Sequence, residues 1–167
     1  MNEANATIFF VMGVSGCGKS TIGRLLAKKL DIPFFDGDDY HSSANVAKMS
    51  NGKPLTDEDR MDWLRTLNQL AIENMAHGAV IGCSALKESY RKLLEDSIFE
   101  RVTYIYLKGT YDEIHRRMQK RSDHFMPAGL LKSQFEALEP PIEAITVSIA
   151  NPPDIIVEKI LRTLGKK

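Results

Sequence analysis

Gly13-Val14-Ser15-Gly16-Cys17-Gly18-Lys19-Ser20, followed by Thr21, stands between an apolar run ending at Met12 and a helical pattern over residues 22–30. The string fits G-x-x-x-x-G-K-[ST], a glycine-rich passage from a strand into a helix whose backbone N–H groups converge on one anion. Gly13, Gly16 and Gly18 let the backbone turn so that several N–H groups face a phosphate. Ser15, Cys17 and Thr21 complete the phosphate-binding set, Cys17 through its backbone N–H. Lys19 has the reach for the β- and γ-phosphates, and Ser20 offers a hydroxyl to Mg²⁺. The rival dinucleotide fingerprint G-x-G-x-x-G fails, because Thr21 stands where its third glycine belongs.

The chain has 167 residues, a length that predicts one domain over residues 1–167. Such a domain buries roughly two-thirds of the surface its unfolded chain exposes. Lys plus Arg and Asp plus Glu number 22 each, and a net charge of zero argues against a nucleic-acid or anionic-membrane partner. Residues 1–6 lack a basic leader, and the apolar run behind them ends in the glycine-rich loop. Neither a signal peptide nor a spanning helix is expected, and the chain is expected in the cytoplasm. Cys17 and Cys83 have no C-x-x-C spacing, so they read as reduced thiols without a zinc site.

Residues 7–12 are β-branched and aromatic without alternation, as in a central parallel strand covered on both faces. A helix is predicted over 20–30, a short strand over 32–35, and then the acidic turn Asp36-Gly37-Asp38-Asp39-Tyr40-His41. Acids beyond the carboxyl end of a parallel strand face the same crevice as the phosphate loop. Residues 42–49 read as a short helix, 51–54 as a turn, and Thr56 as the N-cap of a long amphipathic helix running to His77. That helix sets Trp63, Leu64, Leu67, Leu70 and Ala71 on one face, with Trp63 read as core. A third strand over 79–83 ends in Ser84-Ala85-Leu86-Lys87 and carries no acid, so metal help must come from elsewhere, with Asp36 the candidate.

A short helix over 90–94, a strand over 101–107 and a helix over 110–120 follow, the last with Arg116, Arg117 and Arg121 near its end. Basic residues there also complement a helix dipole. Residues 122–129 have loop composition and read as a lid hinge. A helix over 130–138, a strand over 144–149 and a last helix over 155–164 close the chain. Strands alternating with helices predict an α/β fold with about five parallel strands flanked by helices, in an order that sequence does not fix. A phosphate loop for the donor, aspartates for metal and acceptor, and arginines beside a lid suggest phosphoryl transfer by a small-molecule kinase. No Asn-Lys-x-Asp string for guanine occurs.

Phe35-Asp36-Gly37-Asp38 with His41, Lys48-Met49, Gly52-Lys53-Pro54-Leu55, the run 57–60 and Trp63-Leu64 resemble the gluconate kinase (gluconokinase) family. So do the run 83–87 with Tyr90-Arg91, the run 106–109, His124-Phe125, and Gln134-Phe135 with Leu138-Glu139. The likeness covers nearly the whole chain, in order and at the family's spacing. It implies a P-loop kinase fold with a mobile lid at about 121–135, and ATP-dependent phosphorylation of D-gluconate at its 6-hydroxyl. By the same resemblance Asp36 would act on Mg²⁺ through water, and Asp38 would hold the acceptor hydroxyl as base. Arg60 would grip the substrate carboxylate bidentately, with His41, Lys48, Lys87 and Arg91 as further substrate-side candidates. Arg117 and Arg121 would serve the γ-phosphate from the lid, Arg121 preferred because it lies closest to the loop. Asn151 and Pro152 would flank adenine, and a homodimer is suggested by family habit. Asp39, and Ser42-Ser43, depart from the family's usual residues beside the acceptor site.

Overall fold

A computed structural model describes residues 6–120 and 128–165. Five strands form one parallel sheet: β1 (Ile8–Met12), β2 (Phe34–Asp36), β3 (Ala79–Gly82), β4 (Val102–Lys108) and β5 (Ile145–Ser148), in the order β2-β3-β1-β4-β5. Every residue of β1 and of β3 is buried, which is what a non-alternating apolar strand requires when both faces of the sheet are covered.

Among the described residues seven helices surround the sheet: α1 (Lys19–Leu30), α2 (Ser43–Ser50), α3 (Asp57–Glu73), α4 (Glu88–Leu94), α5 (Tyr111–Lys120), α6 (Ala128–Ala137) and α7 (Pro153–Thr163). From β1 the chain crosses β3's place to reach β2, and then returns through β3 to β4 and β5. Right-handed crossovers in opposite directions put α1 and the α3–α4 pair on opposite faces. In keeping with that, α1 packs on α7, α3 on α4, and α5 on α6. The reversal of direction falls at β1, so the crevice of this sheet opens where β1 runs into the glycine-rich loop. Among the described residues no helix is long and apolar enough to cross a membrane.

Element boundaries depart from the sequence reading where side chains or turns override pattern. The second strand, expected over 32–35, begins at Phe34. Asp31 takes a left-handed turn at φ 56°, and the Ile32 N–H returns to the Ala27 carbonyl at 3.0 Å, so Ile32 still terminates α1. Asp36 is therefore the last strand residue, and a 3-10 turn, Gly37–Tyr40, carries the other two acids. Helix α3 stops at Glu73 rather than near His77, because Asn74 and a positive-φ Gly78 turn the chain into β3. Of the expected hinge loop, Ala128 and Gly129 belong to α6, and the rest, with His124 and Phe125, lies outside the described residues.

Gly37 fixes how closely the acidic turn approaches the sheet. A Cβ there would lie 2.2 Å from the Gly82 carbonyl oxygen and 3.2 Å from Leu67 Cδ1, and the nearer of these atoms is backbone. We expect Gly37→Ala to lower the unfolding free energy by about 1–3 kcal/mol through overpacking. Urea denaturation checks this, and an unchanged midpoint would mean that the turn and β3 are not so tightly apposed.

Candidate active site

The glycine-rich loop leaves β1 and is braced by hydrogen bonds before it enters α1. Gly13 N–H donates to the Ser84 carbonyl at 3.3 Å, tying the loop to the end of β3. Gly16 (φ 81°) and Gly18 (φ 101°) hold left-handed conformations open to glycine. A Cβ on Gly16 would collide with Met118 of α5, whereas Gly18 faces open space. Gly18 is also the N-cap of α1 and no side chain caps the helix, which leaves the first-turn N–H groups around Lys19, Ser20 and Thr21 facing outward with the positive end of the helix dipole. That combination of an uncapped helix start and an open glycine suits a phosphate.

Lys19 Nζ lies over this loop, donating to the Gly13 and Val14 carbonyls at 3.0 and 3.1 Å. The Cys17 N–H closes a turn onto the Val14 carbonyl at 3.3 Å, and its thiol is buried. Burial raises the pKa of both thiols, pushing Cys83 up to about 12, so neither is a nucleophile at neutral pH.

Across the crevice, Ser20 Oγ donates to Asp36 Oδ2 at 2.9 Å, and Asp36 Oδ1 accepts the Asp38 N–H at 3.0 Å. The residues expected to share a metal are thus in direct contact, and the next acid hangs from the same carboxylate. Asp38 and Asp39 are exposed on the 3-10 turn. Trp63 is core, as expected, but it also holds this turn. Its indole N–H donates to the Gly37 carbonyl at 2.8 Å, and its ring stacks on His41 with centroids 4.0 Å apart. Burial lowers the His41 pKa, with Asp38 opposing the shift and Arg60 adding to it, so the imidazole is neutral at pH 7. Ser42, one of the departures from the family pattern, is the N-cap of α2, its Oγ accepting the Asn45 N–H at 3.1 Å.

The cations on this side are gathered at the start of α3. Thr56 and Asp59 form a capping box, and Asp59 also pairs with Lys48 at 2.6 Å, which with the Thr56 backbone N–H holds its carboxyl at about 2. Arg60 Nη1 donates to the Leu55 carbonyl at 2.7 Å and to the Tyr90 hydroxyl at 3.0 Å. Lys87 Nζ donates to Asp57 at 3.0 Å, and Tyr90 donates to the same carboxylate, keeping Asp57 below the usual carboxylate range. Arg60 and Lys87 lie 5.3 and 5.6 Å from the Tyr90 ring centroid. Tyr90 and Asp57 are thus the hub of the cluster, a role that sequence reasoning did not assign them.

Arg91 corrects the sequence reading. It is buried, donating from Nη1 to the Ala85 carbonyl at 2.7 Å and from Nη2 to the Glu139 carbonyl at 2.9 Å, so its guanidinium braces backbone instead of facing the cluster. At the opposite end of the crevice Arg117 donates to the Ile149 carbonyl, which places it beside the Asn151-Pro152 loop. Asn151 Nδ2 contacts the Ser148 carbonyl at 3.4 Å, and Pro152 is the N-cap of α7. Arg121 lies outside the described residues. A further contact has no counterpart in the sequence reading: Gln134 of α6 meets Ser15 of the glycine-rich loop through both ends of its carboxamide.

The shikimate kinase family model matches residues 15–162. The "thermosensitive gluconokinase" of Escherichia coli (strain K12) is 48% identical over 135 residues, covering 80% of this chain and 72% of that protein. The "probable gluconokinase" of Mus musculus is 46% identical over 152 residues, covering 80% and 83%. Among solved structures, a gluconokinase from Sinorhizobium meliloti 1021 superimposes with a TM-score of 0.88 at 39% identity, covering 95% of this chain and 91% of that one.

Removing the Arg91 guanidinium strands the buried Ala85 carbonyl and takes a partner from the part-buried Glu139 carbonyl, and Ala85 already sits at the unfavourable φ of 47°. Arg91→Met is therefore expected to lower the unfolding free energy by about 2–4 kcal/mol. Thermal and urea unfolding measure it, and a stability equal to that of the parent would return Arg91 to the list of ligand contacts.

Proposed function

The chain belongs to the gluconokinase family, on the P-loop kinase fold that it shares with shikimate kinase, and from that membership we propose that it transfers the γ-phosphoryl group of ATP to the 6-hydroxyl of D-gluconate. The observation that carries the proposal is the hydrogen-bonded line from Ser20 through Asp36 to Asp38, which connects the phosphate loop to the acceptor turn.

In this reading Gly16, Gly18, Ser20 and Thr21 present backbone N–H groups to the nucleotide phosphates, and Lys19 leaves the loop carbonyls to pair with them. Ser20 and Asp36 would hold Mg²⁺, which supplies neutralising charge at the phosphates. The donor set fits, because a hydroxyl that donates to Asp36 keeps its lone pairs for a cation, and hard oxygen ligands suit that ion. Asp38 accepts the proton of the 6-hydroxyl as it attacks, and aligns that oxygen with the phosphoryl group. Arg60 and Lys87 receive the substrate carboxylate, which takes the place of Asp57 at Lys87, while Lys48 and the neutral His41 bond the polyol hydroxyls. Arg117, Asn151 and Pro152 line the adenine end. For Arg121 the proposal of a role at the migrating phosphoryl group rests on its place in the sequence alone.

The test is ADP release from ATP and Mg²⁺ with D-gluconate, set against shikimate, glucose, glycerate and AMP. We expect high kcat/KM with gluconate alone, and preferred turnover of another acceptor would overturn the assignment while leaving the fold untouched. Asp38→Asn keeps the shape of the turn but removes the proton acceptor. We expect it to lower kcat by on the order of 10²–10⁴-fold with little change in the KM for ATP. Steady-state kinetics in both substrates read the split, and a parental kcat would remove Asp38 from the role.

A further inference from the structure

Gln134 sits 119 residues from Ser15 in sequence, and its carboxamide makes a paired contact with that one residue. Its Oε1 accepts the Ser15 N–H at 2.7 Å, and its Nε2 donates to Ser15 Oγ at 3.0 Å. Such pairing fixes the orientation of the amide as well as its place. Five residues further on, the same stretch is fastened to the loop after β3. Glu139 N–H donates to the Leu86 carbonyl at 2.7 Å, and Glu139 Oε1 accepts the Glu88 N–H at 2.8 Å. Those two partners flank Lys87, the cation paired with Asp57. Residues 134 to 139 therefore form a physical bridge from the phosphate loop to the acceptor-side cluster.

Ser15 has one backbone N–H, and with its nitrogen 2.7 Å from an amide oxygen that hydrogen is not available to a second acceptor. A charged phosphate oxygen is a stronger acceptor than a neutral carboxamide. We propose that Gln134 is a positioning residue of the donor site, exchanging with the terminal phosphate of the nucleotide for the Ser15 N–H and so reporting donor occupancy, through Glu139, to the loop that carries Lys87. The proposal rests on the reading of residues 13–21 as the nucleotide's phosphate site. It differs from that reading in assigning ligand-dependent behaviour to a residue on α6, far from the loop in sequence.

Direct titration of the full chain with ATP and with ADP, each with Mg²⁺, separates the two. If the parent binds neither nucleotide, the donor-site reading fails and the exchange with it. If the parent binds ATP, Gln134→Ala removes the competitor, and its affinity for ATP should rise about two- to tenfold, the span of one neutral hydrogen bond, with a smaller change for ADP. Equal or weaker ATP binding by a folded Gln134→Ala protein would overturn the exchange and leave the donor site standing. Gln134→Glu, which keeps the shape and adds a negative charge beside Ser15, should weaken ATP relative to ADP. An unchanged ATP-to-ADP ratio there would also overturn the exchange, and this variant decides the matter if Gln134→Ala does not fold. A solely structural residue would not shift that ratio. The bridge adds one readout: saturating non-hydrolysable ATP analogue should change the Kd for gluconate in the parent and leave it unchanged in Gln134→Ala.

Discussion

The hydrogen bond from Ser20 to Asp36 is the constraint around which the crevice is arranged. Its two residues come from α1 and β2, and β3 lies between β2 and β1 in the sheet. At the end of β3, Gly82 is paired in register with Asp36, and a Cβ there would lie 3.6 Å from the Phe34 ring and 3.9 Å from Lys19 Cβ, in ordinary van der Waals contact with both. Gly37, pressed against the Gly82 carbonyl, closes the acidic turn onto the same spot. β3 thus ends without an acid, and the carboxylate that meets the phosphate loop comes from its neighbour β2.

In the proposed function the two sides of the crevice use different chemistry for their anions. On the donor side the groups are backbone N–H and a helix start, fixed by glycine conformations and packing, with one flexible lysine. On the acceptor side the groups are long cationic side chains whose positions depend on partners. Lys48 and Lys87 hold carboxylates in pairs about one-third exposed at the lysine, and exposed pairs contribute little net stability. Such pairs cost little to exchange for another carboxylate or hydroxyl, which suits the substrate site proposed for them. Arg91 shows the contrast within the same neighbourhood. Buried and bonded to two carbonyls, it cannot exchange without loss of structure, and its work is to hold the loop that presents Lys87.

What was legible in the chain was whatever depends on neighbours in sequence. The glycine-rich loop, the buried run of β1, the Thr56 cap and the acids after the second strand all follow local rules of spacing and backbone geometry. The sheet order, and with it the contact of Ser20 with Asp36, needed the topology, although both residues had been singled out by type. Ile32 departs for a local reason: its side chain suits a strand, while its N–H closes the end of α1 on the Ala27 carbonyl. For Arg91 a distant partner decides: the resemblance makes it a substrate-side candidate, and the two carbonyls at its tips set it to bracing backbone. Trp63 carried one usable signal: a buried indole needs an acceptor for its N–H, and that acceptor is the acidic turn.

Loop strain completes the account of the acceptor side. Ala85, an ordinary residue at φ 47°, is held in a conformation that glycine would enter at lower cost. The Arg91 guanidinium on its carbonyl supplies the compensating contact, and Glu139 grips the next residues from α6's far end. Replacing this loop's conformation by a relaxed one would move Lys87 relative to Asp57 and Tyr90, since Lys87 is also the N-cap of α4. The strain at Ala85, the buried arginine and the anchorage of the 134–139 stretch are therefore parts of one support. It leaves the lysine side chain free to change partners while its backbone stays fixed.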